Sequence, residues 1–436
     1  MKKTLLPFLL FLAGFCQSSV AQSLYFPPTN NTAGWDTISP ASLGWCADEI
    51  GTLYDYLQQQ ETKGFIVLKD GKIVLEKYFG NFTQDSLWYW ASAGKTLTAF
   101  LVGKAQEENL LSLTDPTSAY LGAGWTTCTP EQEEKITLWN QLTMTSGLDD
   151  GVPENHCTLD TCLNYLADAG TRWAYHNAPY TLLDDVLTSA TGTSLNTYTQ
   201  TRLKSKTGMK GIWLTLGYNN VYFSDARSMA RFGLLIQNNC NWGPEALLED
   251  AAYINQMTST SQDLNKSYGY LWWLNGKSSF MLPTSQLVFP GFLCPAAPAD
   301  MFTALGKNGQ ILSVSRSEGL VVVRMGNQAS GNEVPTQLCN GIWERLNALA
   351  CGTTSSGEVN PGGEVIPIYP NPASTEVSIG LLPGRDAEVL VSNTQGVVLL
   401  RARNQGKIDI SGLVKGLYFV TVTQGQTRVT KRLVKQ

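Results

Sequence analysis

Two β-hairpin patterns bracket the long first part of this chain, and they constrain its fold more than any other feature. The stretch GFIVLKDGKIVLEKYF (64–79) is a pair of strand-forming runs around Asp70-Gly71, a dipeptide suited to a tight hairpin turn. The stretch GQILSVSRSEGLVVVRMGNQ (309–328) repeats the arrangement around Ser317-Glu318-Gly319. Between them the apolar periodicity is helical. Residues 98–109 are apolar nearly all round before turning acidic, as in a buried helix. Residues 178–192 set Leu182, Leu183, Val186 and Leu187 on one face, and 225–239 are amphipathic. Strands at both ends of a helical middle predict an α+β domain. It would be an antiparallel sheet whose early and late strands pair, flanked by helices and carrying a helical subdomain.

A second unit follows. Residues 352–365, GTTSSGEVNPGGEV, are rich in Gly, Ser and Pro, lack apolar periodicity, and read as a linker. Beyond them come short β runs: EVSIGLL, AEVLVSN, VVLLRAR, GLYFVTVT and TRVTKRLV. Gln395-Gly396 and Gln424-Gly425 stand where hairpin turns belong. Residues 366–436 therefore predict a small C-terminal β-sandwich. They carry nine basic and four acidic side chains, whereas the body before them is acidic, so the two units differ in task as well as in fold. Charged residues are only 15% of the 436, which excludes a disordered tail or a nucleic-acid-binding arm as the main theme.

The opening MKKTLLPFLLFLAGFCQSSVAQ has two lysines, an apolar run too short to span a bilayer, and small residues at Ser19 and Ala21. It reads as a signal peptide, 1–21, with the mature chain starting at Gln22 and no membrane span left after cleavage. Export fits the cysteines. Apart from Cys16 there are eight, an even number suited to disulfides, with Cys157–Cys162 and Cys339–Cys351 the nearest neighbours. His156 beside Cys157 also makes a metal site conceivable, but with two histidines in the chain a bridge is the better reading. No phosphate loop, nucleotide motif or cofactor signature appears, and none is expected.

The chemistry centres on WYWASAGKTLTAF, which holds Ser92 and Lys95 in apolar surroundings. A serine hydroxyl needs a base beside it. Residues i and i+3 of a helix share a face, so Lys95 would reach Ser92. Lysine serves as a base when burial lowers its pKa. Ser-x-x-Lys is a weak signal by itself, although this is its single occurrence in the chain. In RWAYHNAPY, Tyr175 offers a phenol as a second base and Asn177 an amide to bind substrate or hold Lys95. Tyr218-Asn219-Asn220 is a lower-ranked rival, reading as a strand and turn. A Lys-x-Gly on an edge strand bordering the cleft would add positive charge and a close backbone approach. Lys307-Asn308-Gly309 fits, because it opens into the late β pair, with Gln310 next to supply a backbone N–H. Lys206-Thr207-Gly208 reads instead as a helix end capped by its glycine. Tyr270, Trp272 and Trp273 wall the cleft or fill a strand core.

WASAGK, LWNQLTMTSGLDD, WAYHN and LGKNGQILSVSRSEGLVVVRMG together resemble the serine β-lactamase class C, D-alanyl-D-alanine peptidase and esterase family over roughly 50–350, making 22–351 the hydrolase domain. The resemblance implies acylation at Ser92, with Lys95 and Tyr175 sharing general-base work. It further implies that Asn177 positions substrate and Lys307 holds the Tyr175 phenolate or a substrate carboxylate. Gly309 would let substrate approach, and the N–H groups of Ser92 and Gln310 would form the oxyanion hole. Position 308 departs from the Lys-Thr-Gly of β-lactam-active members. The loss of that hydroxyl favours an ester or amide substrate over a β-lactam, with a true β-lactamase or an idle peptidoglycan- or glycan-binding protein as alternatives. YPNPASTEVSI, IDISGLVKGLYFVTV and the terminal KRLVKQ resemble the sorting domain of bacterial type IX secretion. That implies export through the periplasm to the medium or cell surface by that machinery. The rival reading is a carbohydrate-binding sandwich, although Tyr369 and Tyr418 are expected in its core.

Overall fold

The computed structural model describes residues 24–30, 34–328, 333–351, 368–381, 386–393, 397–424 and 427–436. The expected leader (1–21), linker (352–365), Gln395-Gly396 turn and Gly425 lie outside the described residues. The chain divides into two compact units, residues up to 351 and residues from 352.

Helix α1 (Ala47–Gln59) leads into strands β1 (Thr62–Lys69) and β2 (Lys72–Tyr78). Helices α2 (Lys95–Glu107), α3 (Asn177–Thr191) and α4 (Ala226–Gln237) follow. Strands β3 (Trp273–Leu274), β4 (Phe302–Gly306), β5 (Gln310–Ser315) and β6 (Leu320–Gly326) come next, then helix α5 (Thr336–Ala348). The sheet order is β2-β1-β6-β5-β4-β3, antiparallel throughout. The early hairpin joins the late one through β1 and β6, with Val67 opposite Val322, and so ties the two ends of the unit together.

Every residue of β5 and β6 is buried, which requires helices on both faces. Successive strand side chains point to opposite faces. Leu312 packs where α4 comes so close at Gly233 that a Cβ there would sit 2.6 Å from a Leu312 methyl. Its neighbour Ser313 meets Cys339 of α5, at 3.6 Å. Helices α4 and α5 therefore cover opposite faces. A satellite core of Trp125, Ile136, Leu148, Leu163, Ala178 and Leu182 marks the helical subdomain packed against α3.

Cysteine pairing follows expectation once and departs from it once. Cys157–Cys162 is a disulfide, but Cys351 joins Cys46 rather than Cys339. The reason is α5: its helical stretch from 339 to 348 rises about 14 Å at 1.5 Å per residue and carries the chain away from Cys339, beyond any bridge. Cys128, Cys240, Cys294 and Cys339 are free thiols.

In the second unit, the strands Ile368–Tyr369, Glu376–Ile379 and Lys407–Asp409 form one sheet. Ala387–Asn393, Val398–Arg403, Gly416–Gln424 and Thr427–Lys435 form the other. Val377, Ile379 and Ile408 from the first meet Val389, Val391, Val420 and Val422 from the second in one core, making a sandwich. Tyr418 is in that core as expected, its hydroxyl donating to the Val414 carbonyl. Tyr369 is not. It stands exposed, because its strand is two residues long at the sheet edge and only Ile368 turns inward.

Candidate active site

The nucleophile candidate sits on a single 3₁₀ turn, Ala91–Gly94, that runs directly into α2. Trp90 anchors the turn. Its indole donates to Ser224 Oγ at 2.7 Å, and its N–H donates to the Tyr222 carbonyl at 2.8 Å. Ala91 is held at φ +46°, a region that costs a residue with a Cβ on the order of 1–3 kcal/mol and that persists only where its surroundings enforce it. The end of β4 presses on this turn. A Cβ on Gly306 would lie 2.4 Å from the Trp90 carbonyl oxygen and 2.9 Å from the Ala93 nitrogen, so only glycine lets the sheet edge come so close to Ser92.

Lys95, first residue of α2, donates from Nζ to Ser92 Oγ at 2.9 Å and to Asn177 Oδ1 at 2.8 Å. Only 2% of it is exposed. Its Nζ lies 3.9 Å from the Tyr180 ring centroid and 5.0 Å from that of Tyr175. Burial in this aromatic cage lowers its pKa to about 7, against the pull of the Glu333 and Asp184 carboxylates toward the ammonium form. An amine with that pKa is about half deprotonated at neutral pH, and that half carries a free lone pair. Two turns further along α3, Asp184 accepts from Thr98 and Asn220, and burial lifts its carboxyl to about 7. The local charge behind Lys95 is therefore kept low.

Tyr175 enters from the segment before α3, stacked on Trp273 at 5.6 Å, and the Ser92 hydroxyl is near enough to favour its ionised form slightly, although no hydrogen bond joins the two. Burial raises its pKa above the ordinary value, so the phenol keeps its proton. Asn177 opens α3. Its Nδ2 donates to Asn155 Oδ1 at 2.9 Å, which turns Oδ1 toward Lys95. Its amide is thus engaged with the lysine rather than free. Of the aromatic run, Trp273 backs Tyr175, while Trp272 stacks on Phe232 in the core.

The Lys307-Asn308-Gly309 triplet is not on a strand. Gly306 and Gln310 pair across the end of the β4–β5 hairpin, and the three residues are its turn. Asn308 (φ +64°) and Gly309 (φ +85°) take the left-handed conformations that asparagine and glycine tolerate best. Asn308 donates to the Tyr89 hydroxyl at 2.7 Å, and Arg324 clamps the turn by donating to the Asn308 and Gly309 carbonyls, both at 2.8 Å. Gly309 faces Arg324 and Leu338 rather than the cleft. Gln310 is fully buried, its amide exchanging hydrogen bonds with Gly326.

A cavity of about 120 Å³ opens on Ser92 and Lys95, and Lys307 and Asn177 border it. So do residues that the sequence reading passed over or ranked low. Asn219 and Asn220 belong to the Tyr-Asn-Asn rival. His156 has its Nδ1 2.8 Å from Asn219 Oδ1, and Tyr180 and Glu333 complete the set. Asn219 and Asn220 reach the cavity because they begin the strand Asn219–Ser224, which runs back to Trp88–Tyr89 beside the Ser92 turn. Gly208 ends a helical turn at φ +72°, as its sequence suggests. No cluster of metal-binding side chains occurs among the described residues.

A serine met by a lysine three residues on, at the head of a helix beside an antiparallel sheet, defines the class of penicillin-binding-protein-like serine hydrolases. The chain belongs to the beta-lactamase family, whose model matches residues 55–338. Residues 367–436 match the secretion system C-terminal sorting domain. A putative 6-aminohexanoate-dimer hydrolase from Bacillus anthracis shares the fold (TM-score 0.56, 19% identity, 74% of this chain and 90% of that one). So does a putative beta-lactamase from Bacteroides dorei (TM-score 0.56, 17% identity, 70% and 99%). An uncharacterised protein of Alkalihalophilus pseudofirmus is 23% identical over 304 residues, covering 61% of this chain and 84% of its own. Members of this family are typically serine hydrolases. The sorting domain implies the type IX machinery and export to the cell surface or beyond, and no helix among the described residues is long and apolar enough to cross a membrane.

Proposed function

We propose that the protein is a secreted serine hydrolase that cleaves an ester or amide through an acyl-enzyme on Ser92. The observation that carries this is the 2.9 Å contact between Ser92 Oγ and a buried lysine amine whose pKa is about 7. Lys95 takes the hydroxyl proton as Ser92 Oγ bonds to the substrate carbonyl carbon. The bond to the leaving oxygen or nitrogen then breaks, and the proton passes to that atom through the Tyr175 hydroxyl. Water repeats the cycle to free the acid. The order of basicity supports Lys95 as the base and Tyr175 as a neutral proton relay, since burial depresses the amine but raises the phenol. Asn177 orients Lys95. The sheet edge at Gly306-Lys307 borders the Ser92 turn more closely than Gln310 does, so the N–H of Lys307 is the better partner for that of Ser92 in binding the oxyanion.

An acyclic ester or amide is favoured over a β-lactam. Asn308 is spent on the turn and on Tyr89, leaving no hydroxyl to grip a β-lactam carboxylate. The likeness to the putative 6-aminohexanoate-dimer hydrolase points the same way. In this reading residues 1–21 are removed on export, 22–351 form the catalytic domain, 352–365 the linker and 366–436 the secretion address.

A panel of p-nitrophenyl esters, a D-Ala-D-Ala peptide and a chromogenic cephalosporin, run on wild type and Ser92→Ala, tests the assignment. Esters or the peptide should turn over in wild type only, with the cephalosporin slow. Equal rates in both proteins would defeat it. Tyr175→Phe should lower kcat by about 10²–10³, the usual worth of a positioned proton relay, while Ser92 still acylates slowly. An unchanged kcat would remove Tyr175 from the proton path.

A further inference from the structure

The thiols of Cys294 and Cys339 are both free and both buried, and neither lines the Ser92 cavity. The fold brings them to one place. Cys294 lies between β3 and β4, in a segment wrapped round the side chain of Asn275. Asn275 Oδ1 accepts from the Cys294 N–H at 2.9 Å, and its Nδ2 donates to the carbonyls of Cys294, Ala297 and Pro298 at 2.9, 3.1 and 3.0 Å. Through Ala296 the same segment is fastened to α5. The Ala296 N–H donates to Asn340 Oδ1 at 2.8 Å, and Asn347 Nδ2 donates to the Ala296 carbonyl at 2.7 Å.

The Cys294 thiol is thereby aimed at the first turn of α5, its Sγ 3.7 Å from the Thr336 carbonyl oxygen. Cys339 stands three residues after Thr336 on the same helix face, and a helical side chain leans back over the turn before it. That direction carries its Sγ toward Cys294. On its other side the Cys339 thiol meets Ser313 Oγ at 3.6 Å. Each thiol is the largest single influence on the other, Cys339 holding Cys294 protonated and Cys294 easing the ionisation of Cys339, as neighbouring sulfur atoms do. No cysteine acts in this way on Cys128 or Cys240. Adjacent buried thiols suit a reducing compartment. This chain carries a sorting domain for export, and it already holds two disulfides.

We propose that Cys294 and Cys339 are joined by a disulfide in the exported protein. Helix α5 is then stapled at both ends: at its first turn to the segment before β4, and just beyond its last to Cys46. The bond forms by exchange with a disulfide-carrying oxidant of the periplasm, before folding closes over the pair. One cysteine thiolate attacks a sulfur of the oxidant and expels its other sulfur as a thiolate. The second cysteine thiolate attacks the first cysteine's sulfur in that mixed disulfide and expels the rest of the oxidant. The two cysteines give up two electrons and two protons, and the oxidant disulfide becomes two thiols. The bridge steadies two parts of the Ser92 cleft. Glu333, at the entry to α5, lines the cavity, and β4 runs from the bridged segment to Gly306 beside the serine.

The test needs no variant. Full-length protein exported to a periplasm is denatured without reductant, alkylated with N-ethylmaleimide, digested and mapped by mass spectrometry. The maleimide should be found on Cys128 and Cys240 and be absent from Cys294 and Cys339. The peptides holding those two should appear joined, two hydrogens lighter than the free pair, and reduction before alkylation should separate and label them. Maleimide on both Cys294 and Cys339 in the unreduced sample, or a bridge from either to Cys128 or Cys240, overturns the proposal. Neither result involves Ser92, so the acyl-enzyme reading stands or falls separately.

Discussion

Replacing Lys95 with methionine should abolish turnover and yet make the protein harder to unfold at neutral pH. The loss of activity follows from removing the one base that touches Ser92, and a fall in kcat/KM of about 10⁴-fold is the scale set by comparable deletions. The gain in stability follows from the lysine's pKa. Held at about 7 when folded and 10.5 when free, the amine binds its proton less readily in the folded state. At pH 7 that difference costs folding about 4 kcal/mol. Methionine removes the cost but leaves Asn177 Oδ1 without its donor, which returns about 2 kcal/mol, so the variant should gain about 2 kcal/mol. The sign with pH is fixed. Because the folded pKa is depressed, the wild type gains stability as pH rises from about 7 to 10.5, and the advantage of the variant shrinks over that window. Activity runs through the same proton. The kcat/KM of the wild type should fall as pH drops through about 7, where Lys95 is protonated. The groups facing it, Glu333, Asp184, Tyr175 and Tyr180, shape that limb. Urea unfolding at pH 7 and pH 10, beside a pH–rate profile, checks all three statements. A variant less stable than wild type at pH 7, or a flat rate profile from pH 5 to 9, would contradict them.

Removing the Cys46–Cys351 bridge should have the largest effect on stability. It closes a loop of 305 residues, linking the start of α1 to the chain just beyond α5. By the chain-entropy argument such a loop restrains the unfolded state by about 6 kcal/mol. The bridge has local support, since Cys46 N–H donates to the Leu349 carbonyl and Cys351 N–H to that of Gly44. Cys46→Ala/Cys351→Ala should therefore unfold at a markedly lower denaturant concentration than wild type, and reduction of the wild type should lower the midpoint at least as far. Cys157–Cys162 spans only five positions and should matter far less to global stability. A double variant that unfolds at the wild-type midpoint would show that α1 and α5 are held by packing alone.

How far the fold could be read in advance depends on how local each signal is. The two hairpins carry their turns in adjacent residues, so Asp70-Gly71 and Ser317-Glu318-Gly319 were legible, and the pairing of β1 with β6 follows once both are buried in one unit. Ser92 and Lys95 are three residues apart, and one helical turn brings them together. The Lys307-Asn308-Gly309 triplet was found but assigned to a strand. The evidence for a turn lay in two positive φ angles and in the Arg324 clamp, which comes from the next strand. Gly306 carries a signal only in hindsight, since a glycine closing an apolar strand can mean a bend as readily as a close approach. The cavity wall was the least legible part. His156, Asn219 and Glu333 lie far apart in sequence, and each is an ordinary polar residue until the tertiary structure places them round one serine. The same limit explains the mistaken Cys339–Cys351 pair: proximity in sequence says little when a helix stands between.

The central claim is that the hydroxyl of Ser92 is made nucleophilic by a neutral Lys95 amine. Intact-mass and peptide mapping after treatment with a fluorophosphonate probe tests it most directly, on wild type, Ser92→Ala and Lys95→Met at pH 6 and pH 8. The account predicts one added adduct on the peptide holding Ser92, formed faster at pH 8 than at pH 6. It predicts none in Ser92→Ala and little in Lys95→Met. Labelling at another residue, or equal labelling of Ser92 with and without Lys95, would contradict it.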